Sequence, residues 1–271
     1  MNYTAQSLWS DLQNIRGKAP LVHNITNFVV MNNTANALLA IGASPVMAHA
    51  LQEMEEMTAI ASALVLNIGT LSTSWVEAMV VAGKVASRRG IPIILDPVGA
   101  GATTYRTAVA LSLLKEVKPA IVRGNGSEIA ALLNASPGTK GVDSTISSLS
   151  AIDAARSLAC EYGTIVSVSG PSDFITNGKQ VIEVKNGHPL MAKVTGLGCT
   201  ASALTGAFAA VQPDPFAAAI HAMLTMGIAG EVAASRANGP GSLQVEFLDT
   251  LFQMDAETVA SHLKVSNYEA Y

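Results

Sequence analysis

The chain has 271 residues, 16 basic and 20 acidic side chains, a formal net charge of −4, 49% hydrophobic residues and only 13% charged ones. That length holds one large domain or two small ones, and an apolar surplus of Ala, Val, Ile, Leu and Met predicts a large buried core with room for a buried subunit interface. The acidic balance excludes nucleic-acid binding through phosphate neutralisation. Cys160 and Cys199 stand far apart without metal-ligand spacing, which excludes a disulfide framework.

Residues 2–16 predict a short amphipathic helix, with Leu8, Leu12 and Ile15 at helical spacing and no apolar stretch of a signal peptide. A short strand over 20–25 runs into a turn rich in side-chain amides, where Asn27, Asn32, Asn33 and Asn36 cluster and can cap helices. A helix over 29–41 stops at Gly42, and 43–47 read as a second strand. The run 61–68 predicts a buried strand, 74–89 a helix stopped by Gly90, 91–95 a strand, 105–117 a helix and 120–123 a strand. Helices over 127–133 and 152–162 and a strand over 164–168 continue the alternation. Strands apolar on both faces, alternating with helices, predict a mostly parallel sheet covered on both sides.

The texture changes at 173–184, where Asn177-Gly178 between two strand-like runs signals a hairpin. A second Asn-Gly, at 186–187, precedes a predicted strand over 190–194, and helices follow over 199–211, 215–236 and roughly 242–262. The most apolar of these runs, 215–229, is broken by His221, Thr225 and Gly227 and falls short of the ~18 uninterrupted residues of a membrane span. A soluble cytoplasmic protein is expected, folded as a single domain over 1–271, since no linker or repeat divides it. Cys160, Met223 and Met226 read as buried structural side chains, His221 as a buried or interface histidine, and His23 as a core or cap residue or a ligand contact.

The most informative stretch is Val194-Thr195-Gly196-Leu197-Gly198-Cys199-Thr200 and the run of small residues after it. It reads as a strand end, a glycine turn and a helix start, where unpaired N–H groups and the dipole favour an anion. Three other predicted strand ends carry polar groups: Asp96 to Gly101, Arg123 to Glu128, and Ser167 to Gly170. Each alone has a plain structural reading, Asp96 as a helix cap and Glu128 as the capping-box partner of Asn125. In an open parallel sheet, ligands bind at the carboxyl ends of strands. Together these ends bring two carboxylates, an arginine and an anion nest to one edge, a set suited to a nucleoside triphosphate with Mg²⁺. The pattern G-x-x-x-x-G-K-[ST] is absent.

On these segments, with 20–27, 34–47, 67–71 and Gly239-Pro240-Gly241-Ser242, the sequence resembles the hydroxyethylthiazole kinases, a branch of the ribokinase-like superfamily. The resemblance implies a three-layer α/β/α sandwich with a central mostly parallel sheet. It also implies MgATP-dependent phosphorylation of the primary alcohol of 4-methyl-5-(2-hydroxyethyl)thiazole. Carried over by position, Arg123, Ser169 and Asn125 contact ATP, Met47, Gly196 and Asn27 serve the thiazole, and Asp96 and Glu128 organise Mg²⁺ directly or through water. The resemblance further implies a homotrimer with the thiazole site at a subunit interface, the Asn27 region reaching a neighbour's site. Many ribokinase-like enzymes place an aspartate base where this chain has Cys199; a thiol there orients the substrate hydroxyl or accepts its proton, helped by a helix N-terminus that lowers a thiol pKa. A nicotinamide-hydrate dehydratase of the same fold, a kinase of another small alcohol, and a ligand-binding regulator are the alternatives. The Asn27 and Met47 segments speak against the first, and retention of Asp96, Arg123 and Glu128 against the last.

Overall fold

The apolar runs form one nine-stranded sheet in the order β2-β1-β3-β4-β5-β6-β7-β8-β9 in a computed structural model that describes residues 3–135 and 148–268. The strands are β1 (Leu21–Ile25), β2 (Ser44–Val46), β3 (Ala63–Asn67), β4 (Ile93–Asp96), β5 (Ile121–Asn125), β6 (Ile165–Ser169), β7 (Asp173–Thr176), β8 (Val181–Val184) and β9 (Val265–Asn267). From β2 to β6 all pairs are parallel, and from β6 to β9 all are antiparallel. After β1 the chain steps out to β2 and then returns to the other side of β1 for β3. The order therefore reverses between β1 and β3, the kind of position at whose carboxyl ends open α/β sheets take ligands.

Helices cover both faces. On one lie α3 (Met54–Ile60), α4 (Thr73–Arg89), α5 (Thr104–Val117), α6 (Gly126–Asn134) and α7 (Ser148–Tyr162). On the other lie α1 (Ala5–Lys18), α2 (Met31–Ile41), α8 (Leu197–Ala209), α9 (Pro215–Arg236), α10 (Pro240–Gln253) and α11 (Ala256–His262). Alternation along the strands divides the core: Val65 and Ile94 face the α8 side, while Leu64, Leu66 and Leu95 face the α4 side. The helix starts follow local chemistry. Ser72 and Thr103 cap α4 and α5, Asn125 and Glu128 form a capping box for α6, and Asp214 caps α9 ahead of Pro215.

Helix α8 packs across β1, β3 and β4 and is covered in turn by α2 and α9. Every residue from Thr200 to Phe208 is buried, which is why the sequence there is small and apolar all round. Helix α9 is the one helix among the described residues long and apolar enough to cross a membrane, and 89% of its apolar window is buried in the core.

The structure corrects several expectations. Residues 190–194 are not a strand. Pro189–Lys193 is a 3₁₀ helix, with Pro189 in its first turn and His188 Nδ1 accepting from Leu190 N. The far edge of β8, which such a strand would need, is taken by β9, a three-residue strand the sequence did not signal. The expected helix over 242–262 is two helices, because Asp255 starts a new one by accepting from Thr258 N at 2.8 Å. Arg16 Nη2 donates to the freed carbonyls of Leu251, Phe252 and Met254 at that break. A 3₁₀ turn, Leu51–Glu53, and α3 were also unsignalled. Cys160 is exposed, not buried: the inner stripe of α7 runs through Ala151, Ala155, Leu158 and Ala159 and leaves position 160 on the rim. His23 and His221 are buried as expected, the first between Thr58 Oγ1 and the carbonyl of Ala48, the second against Asp11 at 2.7 Å. Asn2 of the first predicted helix lies outside the described residues.

Phe208, fully buried between α8 and its neighbours, tests this packing. Phe208→Ala should lower stability by about 3–5 kcal/mol, seen as a lower urea midpoint with an unchanged slope.

Candidate active site

Residues at the carboxyl ends of six parallel strands line one edge: Met47 after β2, Asn27 after β1, Asn67 on β3, Asp96 on β4, Arg123 and Asn125 on β5, and Ser169 on β6. The register sets Asn67 opposite Asp96, and alternation turns both side chains to the α8 face, beside Val65 and Ile94. Above them stands the N-terminus of α8. Gly196 caps it in the left-handed region at φ 88°, with its α-carbon against Val30, so neither the backbone angle nor the space suits a side chain. Gly198 lies so close to Arg123 that a Cβ would sit 2.9 Å from Nη1.

Asp96 is 1% exposed. Its Oδ2 accepts from Asn67 Nδ2 and from Ser202 Oγ, each at 2.7 Å. Burial pushes its pKa up to about 6 against the lowering effects of the Arg123 charge and the Ser202 hydroxyl. The carboxylate is still ionised at neutral pH. Arg123 is 8% exposed; its Nη2 donates to Ser169 Oγ at 2.5 Å, and its buried Nε has no hydrogen-bond partner among the described residues. Asp173, on the Arg123 side, is also raised to about 6, by burial.

Glu128 is half-buried, and its two oxygens accept the backbone N–H groups of Gly99 and Asn125, each at 2.8 Å. The peptide it holds at Gly99 is gripped from its other end: the Val98 carbonyl accepts from Arg106 Nη1 at 2.9 Å. Arg106 also donates to the carbonyls of Ile68 and Gly69, tying the loop after β3 to the loop after β4.

Among the described residues no group of three or more His, Cys, Asp or Glu could cage a metal. Asp96 keeps one oxygen without a hydrogen bond among these residues, and Glu128 lies within reach of its charge. That donor set fits Mg²⁺, which takes one or two carboxylates and completes its shell with water and phosphate oxygens.

The sequence model of the hydroxyethylthiazole kinase family matches residues 12–257. Hydroxyethylthiazole kinase of Syntrophus aciditrophicus is 58% identical over 98% of both chains, and that of Leptospira biflexa 57% identical over 93% of this chain and 95% of the other. The chain belongs to the hydroxyethylthiazole kinase family. The solved hydroxyethylthiazole kinase structure from Pyrococcus horikoshii superposes with a TM-score of 0.91 at 45% identity, covering 97% of this chain and 100% of that one. Pyridoxal kinase of Staphylococcus aureus, with AMP-PCP and pyridoxal, superposes at 0.59 with 17% identity over 78% and 88%, which shows the shared ribokinase-like fold alone.

Seen as a member of that family, the chain brings most of its expected site residues together. Asn27 Nδ2 reaches Cys199 Sγ at 3.4 Å, Arg123 reaches Ser169, and Asp96 lies between these pairs on the sheet edge. Asn125 and Glu128 do form the capping box their spacing allowed, and Glu128 also reaches Gly99. Met47 stands apart at the end of β2, three strands from Asp96 and so roughly 14 Å away at ~4.8 Å per strand.

One expectation fails. The helix N-terminus does not depress the Cys199 thiol: burial, and next the Asp96 charge, push it up to about 11, outweighing the Asn67 and Asn27 amides. Sequence reasoning also missed Asn67 and Ser202. A polar residue ending an otherwise apolar strand was the available sign for Asn67. Ser202 stands three residues after Cys199 on the same helix face.

The thiol assignment is checked by alkylation. At pH 8 only about a thousandth of a thiol with pKa about 11 is thiolate. Exposed Cys160 should therefore react with iodoacetamide much faster than Cys199. The Cys199 rate should rise about tenfold per pH unit as far as pH 10, read by peptide mass mapping.

Proposed function

We propose that the protein transfers the γ-phosphoryl group of ATP to the primary alcohol of 4-methyl-5-(2-hydroxyethyl)thiazole, acting as a single cytoplasmic domain in thiamine salvage. The observation that carries this reading is the ordered row of Met47, Asn27, Asp96, Arg123 and Ser169 along one sheet edge in a chain of this family. Thiazole fits the β2–β1 end, at Met47, Asn27 and Gly196. The nucleotide fits the β5–β6 end, at Arg123, Asn125 and Ser169. The reacting groups then meet over β3 and β4, under the α8 N-terminus.

There the chain supplies positive charge where phosphoryl oxygens gather negative charge: the Arg123 guanidinium and the first N–H groups of α8. Asp96 and Glu128 would hold Mg²⁺, which when bound neutralises charge on the phosphates. Cys199, with its thiolate scarce at neutral pH, orients the hydroxyl rather than taking its proton. Phosphoryl transfer rests mainly on positioning and electrostatic stabilisation and asks little of a base. The homotrimer is part of the proposal. Phe28 and Val29, each 64% exposed, form an apolar surface next to Asn27 in the chain that a second copy would cover.

A coupled ADP-release assay with MgATP should show turnover that depends on the thiazole, with a phosphorylated thiazole in the mass spectrum. Nucleotide turnover without phosphorylated product would overturn the reading. Asp96→Ala and Glu128→Ala should each lose at least a hundredfold in kcat, with thiazole affinity little changed; equal loss of both would defeat the Mg²⁺ assignment. Light scattering should give three times the mass of the chain, and a monomer or dimer at working concentration would remove the trimer.

A further inference from the structure

Asn67 is buried, as Asp96 is, but its amide oxygen and nitrogen both bond to protein groups, so it joins the groups that would meet a ligand. Its Oδ1 accepts from Asn27 Nδ2 at 2.8 Å and from Gly69 N at 2.9 Å. Its Nδ2 donates to Asp96 Oδ2 at 2.7 Å. Two donors on Oδ1 fix which end of the carboxamide faces Asp96. The flipped amide would lose both bonds and set oxygen against carboxylate. Ser202 Oγ donates to the same Oδ2 at 2.7 Å, so that oxygen takes two donors and Oδ1 of Asp96 takes none among the described residues. Rotating the carboxylate would abandon both bonds in a buried setting, where an unmade hydrogen bond is costly. On its other side, Asn67 anchors the amide that also donates to Cys199 Sγ at 3.4 Å. The sulfur is an acceptor in that contact, which leaves its own proton to point elsewhere.

We propose that Asn67 is a positioning residue for phosphoryl transfer: with Ser202 it holds Oδ2 of Asp96 and keeps Oδ1 as the free oxygen at the centre of the site, and through Asn27 it sets the direction of the Cys199 thiol. The inference rests on the kinase reading of this edge. No ligand contact is required of Asn67. Its effect is on where two neighbouring groups stand, and a displacement of about 1 Å at such groups costs about a hundredfold in rate.

Asn67→Asp is the direct test. It keeps the shape, and keeps an oxygen for Asn27 and Gly69, but replaces the donor facing Asp96 with an acceptor. The expected result is a kcat about a hundredfold lower, with the thiazole Kd by calorimetry within threefold of wild type. Ser202→Ala removes the second donor and should lower kcat about tenfold, again without moving Kd. Because both act through one oxygen, the double variant should fall short of the product of the single losses. A kcat for Asn67→Asp within threefold of wild type, or strictly multiplicative losses, would overturn the proposal. If Asn67→Asp does not fold, Ser202→Ala decides alone, and an unchanged kcat overturns it. Crystal structures of the variants separate this inference from the kinase reading. A rotated Asp96 carboxylate supports the positioning role even if wild-type protein turns over no thiazole, and an unmoved one refutes it even if wild-type protein is active.

Discussion

The site depends on keeping one carboxylate charged where water hardly reaches it. Asp96 ends β4 under the start of α8, and burial works against its ionised form. Its neighbours compensate in three ways: a guanidinium on the adjacent strand, a hydroxyl from the helix above and an amide from the strand on the other side. Each of these side chains comes from a different element, so the sheet register and the seating of α8 must both be right before the charge is tolerated. That explains the small residues of α8. They let the helix lie on β1, β3 and β4 closely enough for Ser202 to reach the strand end.

The width of the sheet divides the labour. Strands on either side of the reversal between β1 and β3 carry amides and apolar surface, suited to a small neutral ring, whereas β5 and β6 carry a cation and a hydroxyl, suited to phosphates. Asn27 and Asn67 bridge the reversal by a single hydrogen bond, so the two halves meet at a point fixed by the protein and not by the ligands.

Much of this was legible in the sequence because short continuous apolar runs and capped helices are local signals. Helix α9 begins and ends where Pro215 and Arg236 place it, and the Asn177-Gly178 hairpin appears as β7 and β8. What was illegible depended on partners distant in sequence. Residues 190–194 have strand-like composition, but the sheet offers them no free edge. The Cys199 pKa could not be foreseen from a helix start alone, since what raises it is burial by the whole fold and a carboxylate over a hundred residues earlier in the chain. Ser202 looked like one more small residue because its significance lies wholly in Asp96.

The loop after β4 carries a mechanical consequence. A peptide group is a rigid plane, so turning its carbonyl turns its N–H with it. The Val98–Gly99 plane has its oxygen tied to Arg106 and its hydrogen tied to Glu128, and it cannot swing without breaking a charge-assisted bond at each end. The loop therefore behaves as a fixed wall, and any closure around bound ligands must be borne by other segments of the rim.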